Sequence, residues 1–421
     1  MSGWGALFLI VRRSLRQHAL STAVTVLSVG LASGLVMAVF AVTEQTRSAF
    51  VGGPVGFDAV VGARGSQLQL VLNTVFHLET SPGNIPWSLY KTLEEDPRVE
   101  VAIPYAVGDN YRGFRIVGTT PEIFTRFEYQ KGKRFEFEGE HHAPFDPLRM
   151  EAVIGSTVAQ RTGLRYGDTF HPYHGLDYHE DAKHPQIYTV VGVVEPTNSP
   201  SDRVIWIPIE GVFRMEGHEL RGAGGSYTPK PGEMIPDEHK EVSAVMLKLG
   251  NPRYGWRLHE LLNLRGKEAT IAWPIGRVMA QLFEKMGWIH RVLELVSYLV
   301  VVVAGGSILA SIYNTMNERR REFAILRALG ARRGTVFSAI VLEAATIAGL
   351  GSAVGLLCYA GILLGAATVI RGQTGVVLDL AAWHPVLVWC PAGMIGVGAM
   401  SGLLPALKAY STDVAHYLTP R

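Results

Sequence analysis

Four long apolar runs divide an otherwise polar chain of 421 residues. The first, Ala19 to Val42, carries no charge over its 24 residues. As a helix it would be about 36 Å long, enough to cross ~30 Å of hydrocarbon. A secretory signal is the competing reading, but its apolar core would be about 7–15 residues ending at a small-residue cleavage site. Thr43 to Phe50 continues the run without an obvious cut, so a retained span is expected. Leu293 to Ile312 is the second run, with Gly305 and Gly306 in its middle, a pair suited to close helix packing. The third, Thr335 to Leu364, is interrupted by Gly349, Gly351 and Gly355, which predicts tilt or a break. The fourth, Pro385 to Leu407, contains Pro391 and Pro405, tolerable where neighbours satisfy the freed carbonyls. Ahead of all four, residues 1–18 mix apolar residues with Arg12, Arg13 and Arg16, as an interfacial helix would.

Between the first two runs, residues 43–290 form one polar block. Its turn signals are Gly52-Gly53-Pro54, Ser81-Pro82-Gly83 and Lys230-Pro231-Gly232. Tyr188–Val194 and Val204–Ile209 read as strands, Pro86–Glu95 and Arg257–Leu264 as helices, and Trp273–Trp288 as a lead into the second span. The block is long enough to bury its own core as a mixed α/β domain. The fold expected is therefore an α-helical membrane protein of four transmembrane helices, with that domain inserted between helices 1 and 2.

The short segment 314–334 joins the second and third runs and carries Arg319, Arg320, Arg321, Arg327, Arg332 and Arg333 against Glu318 and Glu322. It has no proline, and Phe323, Leu326 and Leu329 recur at i, i+3 and i+6, which predicts an amphipathic helix. Two readings compete: arginines that only set orientation, and a docking element for a cytoplasmic partner. The 365–384 loop holds only Arg371 and Asp379, whereas the N-terminus, the 314–334 segment and the 408–421 tail are basic. The positive-inside rule then puts both termini and the 314–334 segment in the cytoplasm, and the 43–290 domain across the membrane. Glu343 is the one acid inside the third run, where an anchoring role and a functional one both stand.

Net charge is +2, too balanced to suggest nucleic acid, and 48% hydrophobic content fits a membrane protein. Cys358 and Cys390 fall in apolar runs and read as packing residues, which leaves the polar block without a disulfide framework. No GxxxxGK[ST] phosphate loop occurs.

The run ERRREFAILRALGARRGTVFSAIVLEA, set between two spans, resembles the signature of the FtsX/MacB-like permeases, membrane subunits of mechanotransmission-type ABC transporters. Arg321, Glu322, Ala324, Ile325, Leu326, Arg327, Ala328, Leu329, Gly330, Ala331 and Glu343 match its pattern. Gly402 to Leu418 resembles the family's fourth-span ending, with Val414 in place of the usual proline. Glu151 to Phe170 and Tyr188 to Ile209 are similar to its periplasmic core-domain motifs. The resemblance implies an inner-membrane homodimer, both termini cytoplasmic, docked on a separate ATPase that binds the ATP. Glu318, Arg321, Glu322, Phe323, Leu326, Arg327, Leu329 and Gly330 would then belong to a coupling helix, with a periplasmic or outer-membrane partner on the far side. The stripe Phe323–Leu326–Leu329 would face either that ATPase or the membrane lipid. No catalysis and no cofactor are expected of this chain under that reading.

Six histidines cluster between 141 and 184: His141, His142, His171, His174, His179 and His184, with Glu140, Asp177, Glu180 and Asp181 among them. One reading is a solvated polar insertion. The alternative is a zinc site at His171, His174, His179 and His184, for binding or delivery of metal. HExxH is absent, and His179 and His184 would fall about 140° apart on a helix, which disfavours a membrane-anchored metallohydrolase. Asp202 and Arg203 read as turn or ion-pair residues.

Overall fold

The computed structural model describes residues 3–52, 56–130, 132–176, 178–216, 218, 220, 225–229, 235–328 and 330–411. The chain divides into two compact units. The first comprises residues 1–45, 286–368 and 379–421; the second comprises 46–285 and 369–378.

Two helices open the chain, α1 (Gly3–Gln17) and α2 (Ala19–Gly52), meeting at His18. The second unit follows, in the order β1 (Ala59–Ala63), α3 (Gln67–Thr74), β2 (Ile85–Pro86), α4 (Trp87–Glu94), β3 (Val99–Tyr111), β4 (Phe114–Thr119), α5 (Glu122–Thr125), β5 (Glu151–Ile154), α6 (Ser156–Thr162), β6 (Thr169–Phe170), β7 (Tyr173–His174), β8 (Tyr188–Val193), β9 (Val204–Pro208), α7 (Ile209–Phe213), β10 (Glu241–Val242), β11 (Ala244–Leu249), α8 (Tyr254–His259), β12 (Ala269–Ala272) and α9 (Ile275–Lys285). Its main sheet runs β12-β1-β11-β3-β4-β9-β5-β8-β6, with β7 added to β3; β10 and β2 pair separately. The β4–β9 and β5–β8 pairs are parallel and the other pairs antiparallel, so the sheet is mixed.

Both faces of that sheet are covered, which is why β9 is apolar at every position rather than alternating. The strand read as Val204–Ile209 stops at Pro208, whose fixed φ leads into α7 with Ile209 as its first residue. The helix read at Pro86–Glu95 runs Trp87–Glu94, and that at Arg257–Leu264 begins earlier, at Tyr254, and continues as a π turn to Arg265. The stretch 273–288 is helical from Ile275 to Lys285 and interrupted at Met286.

The first unit holds α10 (Gly287–Glu318), α11 (Arg320–Ala328), α12 (Arg333–Thr374) and α13 (Val386–Ser411), together with α1 and most of α2. Among the described residues, four of its helices, α2, α10, α12 and α13, are long and apolar enough to cross a membrane. Of the tilt or break expected at Gly349–Gly355, the break does not occur: α12 is one helix of 42 residues. Its glycines serve packing instead. Gly351 and Gly355 face Val29 and Ser33, and Gly30 and Gly34 of α2 face Val354 and Cys358. A Cβ at Gly34 would lie 2.6 Å from that of Cys358, so two opposed small-xxx-small faces let the backbones approach. Nearer its N-terminus, along the same stripe, α12 meets Gly398 and Gly402 of α13 through Ala348 and Ala344. Gly305 packs against Val397, but Gly306 has nothing within 4 Å, so only one of that pair serves contact. Helix α12 continues beyond Leu364 to Thr374, which shortens the loop read as 365–384. Pro391 and Pro405 lie inside an unbroken α13, and the tail from 412 to 421 is outside the described residues.

Gly355→Leu is expected to lower stability by about 1–3 kcal/mol through overpacking against Ser33 and the Gly30 carbonyl. Gly306→Ala should stay within about 0.5 kcal/mol. Thermal unfolding of the detergent-solubilised protein measures both.

Candidate functional sites

The basic segment is not one helix from 314 to 334. Asn314 to Glu318 complete α10, the chain turns at Arg319, α11 occupies Arg320–Ala328, and α12 has begun by Arg333. Gly330, at φ +98°, makes the second turn, a conformation that costs glycine least. Within α11, Phe323 is buried in, and Leu326 half-buried against, an apolar cluster that includes Met316, Val336 and Ile340. Phe323 and Leu326 of the apolar stripe therefore pack on the protein's own helices; Leu329 lies outside the described residues. Arg321, Glu322, Ile325, Ala328 and Gly330 form the exposed face, and Arg327 is half-buried.

Arg319 itself is withdrawn from the surface. Its guanidinium reaches Glu343 of α12 at 3.6 Å, bonds Ser14 of α1 and Glu322 (Nε to Oε2, 3.0 Å), and lies over the Phe323 ring at 5.1 Å. Ser14 Oγ also donates to Glu343. His18 pairs with Glu318 at 3.2 Å, and Gln17 reaches Glu322 at 3.4 Å. Thus the acid singled out inside the third run is the buried partner of an arginine counted among the basic residues of the 314–334 segment. Glu343→Ala leaves the buried Arg319 guanidinium with Glu322 as its remaining carboxylate, and is expected to cost about 3 kcal/mol, the low end for breaking a buried pair. Chemical unfolding of wild type and variant measures the difference, and Arg321→Ala, on the exposed face, should be near neutral.

The second site lies wholly in the α/β unit. Strand β3 carries a bulge between Val107 and Asp109, which re-aims the chain and buries the Asp109 side chain. Short strand β7 pairs with it there, putting His174 opposite Asp109. The chain returns through a 3-10 turn at Glu180–Ala182, and Tyr173 bridges Lys183, so His184 enters the same spot. His218 arrives from beyond α7. Asp109 Oδ1 is 3.1 Å from His184 Nε2, 3.2 Å from His218 Nε2 and 3.4 Å from His174 Nδ1; His174 Nδ1 and His218 Nε2 are 3.3 Å apart. Burial opposes ionisation of Asp109, but hydrogen bonds and charge from His184 and His218 hold its pKa down at about 2. Burial also disfavours charge on His218, yet the Asp109 carboxylate and the Val212 carbonyl raise its pKa overall.

Of the four histidines predicted as ligands, His174 and His184 belong to this cluster. His171 does not: its Nδ1 lies 3.1 Å from the His184 carbonyl, so it supports the loop. His179 is exposed, at the start of the 3-10 turn. Asp109 and His218 were not legible because they lie 65 residues before and 44 residues after His174. The pairing that unites them is a property of the sheet. Asp202 accepts from the Thr197 and Asn198 backbone and closes a turn, while Arg203 donates to the Gly372 carbonyl.

Comparison with known proteins bears on both units. Residues 22–248 match the MacB-like periplasmic core domain, and residues 294–414 match the FtsX-like permease C-terminal domain. The chain is 30% identical over 233 residues to the macrolide export ATP-binding/permease protein MacB of Shigella flexneri, covering 55% of this chain and 33% of that one. It is 28% identical over 183 residues to the uncharacterized ABC transporter permease YknZ of Bacillus subtilis, covering 42% of this chain and 41% of that one. The chain thus spans well under half the length of these curated relatives. The crystal structure of the periplasmic region of MacB from Actinobacillus actinomycetemcomitans aligns with a TM-score of 0.32 at 14% identity, over 55% of this chain and 94% of that one.

Proposed function

The chain belongs to the FtsX/MacB-like family of ABC transporter permeases, and from that premise we propose that it converts ATP-driven motion of a cytoplasmic ATPase into motion of its α/β domain. It works as a homodimer in the inner membrane, with both termini and α11 in the cytoplasm and the α/β domain in the periplasm. The orientation is supported by the arginines flanking the spans. ATP is bound and hydrolysed on the ATPase, in keeping with the lack of a phosphate loop in this sequence.

The observation that carries this reading is α11. It is a nine-residue helix held between two spanning helices, and its inner face is fixed by Phe323, Leu326 and the Arg319–Glu343 pair. What it offers outward is Arg321, Glu322, Ile325 and Ala328, an apolar centre with charged neighbours. An ATPase groove would bury Ile325 and meet Arg321 with a carboxylate, which a guanidinium can grip with two hydrogen bonds. Two of the spanning helices then supply levers. Helices α2 and α12, about 51 Å and 63 Å long at 1.5 Å per residue, are unbroken, and their ends at 46–52 and 369–374 belong to the α/β unit. Release or export of a substrate in the periplasm follows from that movement, with a periplasmic or outer-membrane partner receiving it.

Ile325→Asp tests the docking face without disturbing the core, since Ile325 is 45% exposed. The wild-type protein crosslinked in its native membrane is expected to carry an ABC ATPase, and the variant to lose at least about tenfold of it, an effect of about 1.4 kcal/mol. Capture of no ATPase by wild type, or equal capture by Ile325→Asp, contradicts the proposal.

A further inference from the structure

We propose that Asp109, His174, His184 and His218 form a zinc-binding site that fastens the 171–184 insertion and the segment after α7 to strand β3. The inference is independent of whether an ATPase docks on α11.

Geometry carries it. Ligands about 2.0–2.1 Å from a tetrahedral zinc lie about 3.3–3.4 Å from one another. Four of the six separations among these donor atoms run from 3.1 to 3.4 Å, and all six fall within 4.8 Å. A square-planar ion would instead put one nitrogen about 4 Å from the carboxylate oxygen, across the metal from it. All three nitrogens lie closer than that, so the arrangement suits zinc over the square-planar cations.

Hydrogen bonding accounts for the His184 and His218 contacts with Asp109 but not for the third imidazole beside them. His174 Nδ1 and His218 Nε2 converge on one oxygen while standing 3.3 Å apart. If both carried protons to donate to Asp109, the two N–H groups would crowd each other. His218 Nδ1 is 3.1 Å from the Val212 carbonyl, which can only accept, so the neutral ring keeps its proton there. That leaves the Nε2 lone pair aimed at the cluster, the tautomer that a metal ligand needs. A cation at the centre meets every lone pair at once.

The surroundings complete the requirements of a working site. Asp109 and His184 are buried, with 2% and 7% of their side chains exposed, so the inner ligands are shielded from water. His174 is 59% exposed, and with His218 it lines an open cleft of about 540 Å³ that also holds Asn84, Ser243 and Glu241. The ion therefore has a way in. His171 supports the loop from behind through the His184 carbonyl. With four protein ligands the tetrahedron is closed, which is the form of a binding or structural site and leaves no position for an activated water.

The test uses the full-length protein in nanodiscs, stripped with a chelator and titrated with ZnCl2 by calorimetry. One zinc per chain is expected, and X-ray absorption of the loaded protein should show a nitrogen and oxygen shell at about 2.0–2.1 Å with the multiple scattering of imidazole. His218→Ala and His174→Ala should each weaken binding at least about 100-fold, since even outer-shell changes cost 10–100-fold. His174 is at the surface, so its variant reads binding even if His218→Ala folds poorly. His179→Ala should leave the affinity unchanged. The proposal is overturned if stripped wild type takes up no zinc, if His174→Ala binds as wild type does, or if the loss follows His179 instead.

Discussion

A guanidinium and a carboxylate buried together among apolar helices constrain everything around them. Each would cost several kcal/mol to remove from water alone, so Arg319 and Glu343 are held to one register. Ser14, bonded to both, adds α1 to the same point. The turn after α10 must therefore occur at Arg319, and α11 must leave in a direction that lets Phe323 lie beneath the guanidinium. The exposed face of α11 is what remains once these demands are met. In the proposed role this matters mechanically, because a push on Ile325 acts on α1, α10 and α12 together rather than on a loose loop.

The same economy governs the spans. In lipid, apolar side chains gain little by meeting each other, and close approach of small residues takes over. Gly30 and Gly34 against Gly351 and Gly355, and Gly398 and Gly402 against Ala344 and Ala348, make α12 the member that touches both α2 and α13 at short range. Glycines that suggested a weak point in the sequence are the ones that let the longest helix pack while remaining whole.

Local signals in the sequence were readable where local physics decides the outcome. The apolar runs, the strands at Tyr188 and Val204, and the basic segment with its family signature all rest on neighbouring residues. What was not readable depends on distant ones. Nothing near Arg319 marks it as buried, since its partner is in α12 and its second contact in α1. The stripe of Phe323 and Leu326 was visible, but which surface it faces is set by other helices, α10 and α12 among them. In the α/β domain the histidine run was conspicuous, yet two of its four chosen residues serve other ends. The bulge in β3 and the pairing of β7 recruit Asp109, and the chain after α7 brings His218. A lone aspartate in an apolar strand was the available hint, and it acquires meaning only beside its three imidazoles.

The proposed role requires transmission from one side of the membrane to the other. Hydrogen exchange of the full-length protein in nanodiscs, with the ATPase captured from its native membrane, follows this directly. On adding ATP with a hydrolysis-blocked ATPase, protection is expected to change both in α11 and in the α/β domain at residues 46–285. A change confined to α11, with the α/β domain unaltered, would contradict the account.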